Sequence, residues 1–104
     1  MKSFLYNLSV GLAVLASTPS PAHAIDCDGR LSGQDEVICE NHELRRMDYQ
    51  LNVMYRDALR GSRRPGLLRL RQRAWQDDRR NCGENARCLI RAYSRRMGQL
   101  QRED

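Results

Sequence analysis

Four cysteines, Cys27, Cys39, Cys82 and Cys88, constrain this 104-residue chain more than any other feature. All four follow Ala24, the point at which an export leader would be cut. An even number of cysteines in a small exported chain reads as two disulfides, made in an oxidising compartment. The leader itself has three parts. Lys2 supplies the positive start, Phe4 to Ala16 is apolar, and Ala22-His23-Ala24 has the small-x-small form of a cleavage site after the helix-hostile Ser20-Pro21. An amphipathic first helix is the competing reading. It fits less well, because the run is apolar all round and ends in turn formers. The run is too short to span a bilayer. The expectation is therefore a signal peptide over residues 1–24 and one soluble domain over 25–104, periplasmic or secreted, with no transmembrane segment. Cys27 follows Asp26, where a lipoprotein signal needs a small residue, so no lipid anchor is expected.

The remaining 80 residues are few for a single core, and covalent staples matter at that size. Ser32-Gly33-Gln34-Asp35 looks like a capping box, opening a short helix from about Gly33 to Glu40. Asn41 can cap the next, with Glu43 in its first turn. Leu44, Met47, Leu51, Met54, Tyr55 and Ala58 recur at helical steps to about Arg60, where Gly61-Ser62 stops the run. Pro65 suits the first turn of a third helix, to about Arg80, whose apolar stripe reads Leu67, Leu68, Leu70, Ala74 and Trp75. After the turn Cys82-Gly83-Glu84-Asn85, a fourth helix carries Ala86, Leu89, Ile90, Tyr93, Met97 and Leu100. No run alternates with period two long enough for a strand. The expected fold is all-α, a small up-down-up bundle of three main helices preceded by a short one.

Four cysteines allow three pairings. The short spacings favour Cys27–Cys39, pinning the N-terminal segment to the short helix, and Cys82–Cys88, closing the last turn. No Cys-x-x-Cys and no paired histidines appear, so disulfides are expected in place of metal or haem. Catalysis lacks its parts. His42 is the one histidine after the leader, the serines fall in no nucleophile motif, and Asp77-Asp78 are adjacent helical residues that diverge. No enzyme, cofactor or metal site is expected. Nucleic acid is not an expected partner either, since no stacking aromatics are interleaved with the arginines.

Charge is polarised along the chain. Asp26 to Glu43 holds six acids and one arginine; Arg56 to Arg73 holds seven arginines and one acid. In an up-down-up bundle these segments fall at opposite ends and could offer different ends to different partners. Both could also be ordinary solvated surface. The richness in arginine, with Lys2 the only lysine, reads more simply as nucleotide-composition bias than as anion recognition.

Val37-Ile38-Cys39, then Leu44, Asp48, Leu51 and Tyr55, then Gln72-Arg73-Ala74-Trp75, Arg79 and Cys82, then Cys88, Tyr93, Arg96 and Leu100 resemble the LprI-like lysozyme inhibitor N-terminal domain family. The order and spacing of these residues carry the resemblance over nearly all of the chain after the leader. It implies an exported, non-catalytic helical domain that acts on lysozyme or another cell-wall hydrolase. For such a partner, if basic, the acidic residues Asp35, Glu36, Glu40 and Glu43 are the candidate contacts. The alternative is a binder of anionic envelope polymers or lipid headgroups through Arg60, Arg63 and Arg64 at the basic end. Among the polar residues of the pattern, Asp48, Arg79 and Arg96 could form a recognition site. The simpler reading is a buried network that fixes helix register, with Asp48 paired to Arg79 or Arg96, hydrogen bonds from Tyr55, Gln72 and Tyr93, and Trp75 as core anchor.

Overall fold

Two asparagines and a proline set where the main helices begin. The computed structural model describes residues 24–31 and 33–103. The expected leader up to residue 23 and the proposed Ser32 cap lie outside the described residues. Helix α1 spans Gly33–Glu40 and α2 spans His42–Gly61. Between them the Asn41 side chain accepts a hydrogen bond from the Leu44 backbone N–H at 3.0 Å, satisfying an amide the helix start would leave unpaired. Helix α3, Pro65–Arg80, starts without a side-chain cap, and proline at its first position makes one backbone donor unnecessary. Helix α4, Ala86–Gln101, is capped by Asn85, which accepts from the Cys88 N–H at 2.9 Å. Gly83 turns the chain between α3 and α4 at φ 59°, a left-handed conformation that costs other residues a steric penalty.

The short connections reverse α3 against α2 and α4 against α3, so α2 and α4 run the same way. These two share the most extensive contact, with α1 packed on α2. Ile38, Leu44, Met47, Leu51, Tyr55, Leu68, Trp75, Leu89, Tyr93 and Leu100 form one buried core drawn from all four helices. The disulfides join Cys27 to Cys39 and Cys82 to Cys88, each with Cα atoms 5.5 Å apart, and no free cysteine is left. Among the described residues there is no strand.

The third helix departs from its expected stripe. Leu70 is 56% exposed and Ala74 is exposed as well. The inward positions are Leu68, Gln72 and Trp75, with Arg79 mostly covered, a steady four-three-four spacing. Leu70 lies two residues from Leu68, about 200° around the helix, and so faces solvent.

Candidate functional site

Asp48, in the second turn of α2, is only 5% exposed, and both of its oxygens are engaged. Oδ1 accepts from the Tyr93 hydroxyl at 2.8 Å. Oδ2 accepts from the Ile25 backbone N–H at 2.8 Å, which draws the N-terminal segment onto the bundle. Arg79 completes the group. Its Nη1 donates to the Tyr93 oxygen at 3.2 Å and lies 3.9 Å from Asp48 Oδ1. The Arg79 guanidinium also sits 5.5 Å over the Trp75 ring, a cation–π contact. Trp75 meets Tyr93 edge to face at 5.2 Å and donates its indole N–H to the Ala92 carbonyl at 3.0 Å. Three helices and the N-terminal segment thus converge on one carboxylate.

Arg96 stands apart from that group. Its Nε donates to Gln72 Oε1 at 2.8 Å and its Nη1 to Gln99 Oε1 at 3.1 Å. Tyr55 is buried, with no hydrogen bond to either group among the described residues. The structure therefore brings Asp48, Arg79, Tyr93 and Trp75 together, and sets Gln72 and Arg96 in a second pair. Arg79 Nε and Arg96 Nη2 are buried without a partner among the described residues. Burial, and then the Asp48 carboxylate, push the Tyr93 phenol well above its ordinary value of 10.0. Burial pulls Arg96 below its ordinary value, opposed chiefly by Glu103. The Tyr93 hydroxyl and the two engaged oxygens of Asp48 tie α4 and the N-terminal segment to α2.

The acidic candidates gather at one end. Glu36, Glu40 and Glu43 are exposed, and Asp35 is half-buried. Asp35 and Glu36 fall in the first turn of α1 and Glu43 in that of α2, where the helix dipole favours anions. A side chain with no sequence signal fixes this end. Gln34 Nε2 donates to the carbonyls of Arg79 at 2.9 Å and Gly83 at 2.7 Å, tying α1 to the α3–α4 turn. Exposed Arg87 and Glu84 and the Arg80–Asp77 ion pair, beside or within that turn, therefore share the acidic end.

At the other end, Arg60 pairs with Asp57 on an exposed face. Arg63 and Arg64, in the α2–α3 connection, are exposed and line a cavity of about 280 Å³ with Ser62, Leu67 and Arg71. A wider cleft of about 410 Å³ opens between α3 and α4, where Arg71, Arg95 and Arg96 face Asp78 and Glu103 beside Trp75. Arg71 and Glu103 close on each other at 3.2 Å. The cleft carries both signs of charge. His42 is exposed, all four cysteines are in disulfides, and the described residues bring together no group able to hold a metal ion. No helix among them is long and apolar enough to cross a membrane.

Comparison with known proteins places this architecture. The family model described as Lysozyme inhibitor LprI matches residues 27–100, and the chain belongs to that family. Lipoprotein LprI of Mycobacterium bovis is 26% identical over 87 residues, covering 81% of this chain and 44% of that protein. Lipoprotein LprI of Mycobacterium tuberculosis, from strains CDC 1551 and H37Rv, matches to the same extent. The chain thus spans less than half the length of these relatives. No solved structure matches it significantly.

Proposed function

We propose that this member of the Lysozyme inhibitor LprI family is an exported, non-catalytic interaction module that inhibits a lysozyme or a related cell-wall hydrolase. One observation carries the reading: the family model covers residues 27–100, the whole disulfide-stapled bundle. The acidic end is the contact surface in this proposal. Glu36, Glu40 and Glu43 are exposed there beside Asp35, and the N-terminal segment and both disulfides hold that end in shape. A net positive chain meets a basic enzyme favourably only through such a patch, because opposite charges steer association and like charges oppose it.

The test is lysis of a cell-wall suspension by a basic lysozyme, with the oxidised protein in molar excess at low salt. Slower lysis is the expected result. Neutralising Asp35, Glu36, Glu40 and Glu43 together weakens inhibition, chiefly through slower association, and flattens its salt dependence over the Debye length of about 8 Å at physiological ionic strength. Neutralising Arg60, Arg63 and Arg64 leaves inhibition intact. Lysis at an unchanged rate defeats the reading for that lysozyme.

A second reading rests on the basic end, where Arg63 and Arg64 flank a cavity also lined by Arg71 and by Glu103, which pairs with Arg71. Exposed guanidiniums around a polar hollow suit phosphate or carboxylate groups of envelope polymers or lipid headgroups. It predicts the reverse pattern: the arginine variant loses binding to anionic vesicles, and the acidic variant keeps it.

A further inference from the structure

The residue that meets Asp48 from the N-terminal side is also the one that an export cleavage would expose. Ile25 N lies 2.8 Å from Asp48 Oδ2, and Ile25 directly follows Ala22-His23-Ala24. While the leader is attached, this nitrogen is an amide with one hydrogen to give. We infer that removal of the leader after Ala24 converts it into an α-ammonium seated on Asp48, so that the mature chain's own N-terminus becomes part of the buried network. Hydrolysis of the Ala24–Ile25 amide consumes one water. It leaves a carboxylate on Ala24 and an amine on Ile25, which takes up a proton near neutral pH.

The surroundings suit a cation in that position. The Ile25 side chain packs against the core, and Cys27, two residues on, is tied to Cys39 in α1. The terminus is therefore held on its C-terminal side before any charge is added. An ammonium brings three donors where the amide had one. Asp48 Oδ2 takes the first. Beside it opens a cavity of about 250 Å³, lined by Ala24, Asp26, Asp28, Arg45 and Tyr49 among others, with room for water on the remaining two. The charged and titratable groups around the nitrogen are Asp26 and Asp28 on its own segment, Asp48, Arg45 and Tyr49 on α2, Arg79 on α3 and Tyr93 on α4; the nearby α1 residue, Ile38, is apolar. Asp48 already faces Arg79 and the Tyr93 hydroxyl, so the ammonium adds a second cation to a carboxylate removed from water. An opposite charge at hydrogen-bond distance favours the protonated amine.

Composition makes the test clean. Lys2 is the only lysine, so a chain beginning at Ile25 has a single primary amine, its own N-terminus. The protein is exported under its own leader and purified oxidised, and its intact mass is read. A mass starting at Ile25 with both disulfides closed is expected; any other N-terminus overturns the inference. The amine is then reacted with an amine-directed ester at pH 8. We expect at least tenfold slower acylation in the native protein than in the same protein unfolded in urea with its disulfides intact. A chain extended by Ala24 presents an amine displaced by one residue, and reacts at nearly the unfolded rate. Asp48→Asn, checked for native helicity by circular dichroism, reacts fast as well; where that variant does not fold, the Ala24-extended chain carries the comparison. Equal native and unfolded rates for Ile25, or equal protection in the extended chain, overturn the inference.

Discussion

Replacing Asp48 with asparagine changes one oxygen to NH2, and the structure sets the size of the effect. Oδ1 and Oδ2 each face a donor, the Tyr93 hydroxyl and the Ile25 N–H. Whichever way the new amide turns, its NH2 meets one of them. Tyr93 has little freedom to reverse, because its oxygen already accepts from Arg79. A hydrogen bond to a charged group contributes about 1.5–3 kcal/mol. The substitution also leaves the Arg79 guanidinium, whose side chain is only 14% exposed, without its counter-charge. Breaking a buried pair from one side costs about 3–5 kcal/mol, and that range is the expected loss. For a domain of this size, about 4–8 °C per kcal/mol translates it into a drop of at least about 12 °C in the thermal midpoint. Asp57→Asn is the control. It breaks an ion pair with Arg60 in which both side chains are more than 60% exposed, worth about 0.5 kcal/mol or less. Thermal and urea unfolding of the oxidised proteins, followed by circular dichroism, make the measurement. Equal, small shifts in the two variants would refute the argument that Asp48 braces the bundle.

Two further perturbations test the staples and the buried phenol. In the chain-entropy account of cross-links, the Cys27–Cys39 bridge, 12 residues apart in sequence, contributes about 2.9 kcal/mol, and Cys82–Cys88, 6 apart, about 2.4. Replacing each pair by serine should lower urea midpoints in that order, and a loss well under 1 kcal/mol for either pair would count against the account. The Tyr93 phenol is raised in the folded state, so its contribution is whole below the unfolded value of 10.0 and is lost as pH climbs above it. Between there and the folded value the unfolded chain gives up a proton that the native one keeps, and stability falls by about 1.4 kcal/mol per pH unit. Tyr93→Phe is less stable at pH 7, where it lacks the bond to Asp48, but should shed that alkaline slope in urea titrations at pH 9 to 11; an unchanged slope would assign the decline to another group.

Helix positions were legible because their signals are local. Asn41 and Pro65 start helices for reasons each residue carries itself, and the short helix falls at Gly33–Glu40, where the sequence puts it. The short cysteine spacings also indicated the observed pairing. Positions that depend on a neighbouring helix are less legible. Leu70 reads as inward from its hydrophobicity but faces solvent, while Gln72, expected in the network around Asp48, is buried against Arg96 arriving from α4. Sequence spacing left Asp48 a choice of arginines. The antiparallel pairing of α3 and α4 resolves it, setting Arg79 beside Tyr93 and Arg96 beside Gln72. The Gln34 and Ile25 contacts had no signal at all. Each depends on a backbone group brought from elsewhere in the fold.

Among the acidic residues, Glu40 discriminates best between a binding surface and a merely solvated one. Asp35, Glu36 and Glu43 each occupy a first helical turn, so the helix dipole gives them a structural reason to be acidic. Glu40 is the last residue of α1, where the same field opposes an anion, while the start of α2 two residues later favours one. The two effects oppose each other, and the exposed side chain makes no ion pair among the described residues. Glu40→Gln should therefore leave the unfolding midpoint within about 0.5 kcal/mol of the parent, the range of surface changes away from special features. If the acidic end meets a basic enzyme, the same variant still loses part of the low-salt inhibition, because removing a charge at the rim of a contact slows association. Unchanged inhibition by Glu40→Gln, with inhibition by the parent established, would move the contact away from the end of α1. Loss of both inhibition and stability would assign Glu40 to the fold.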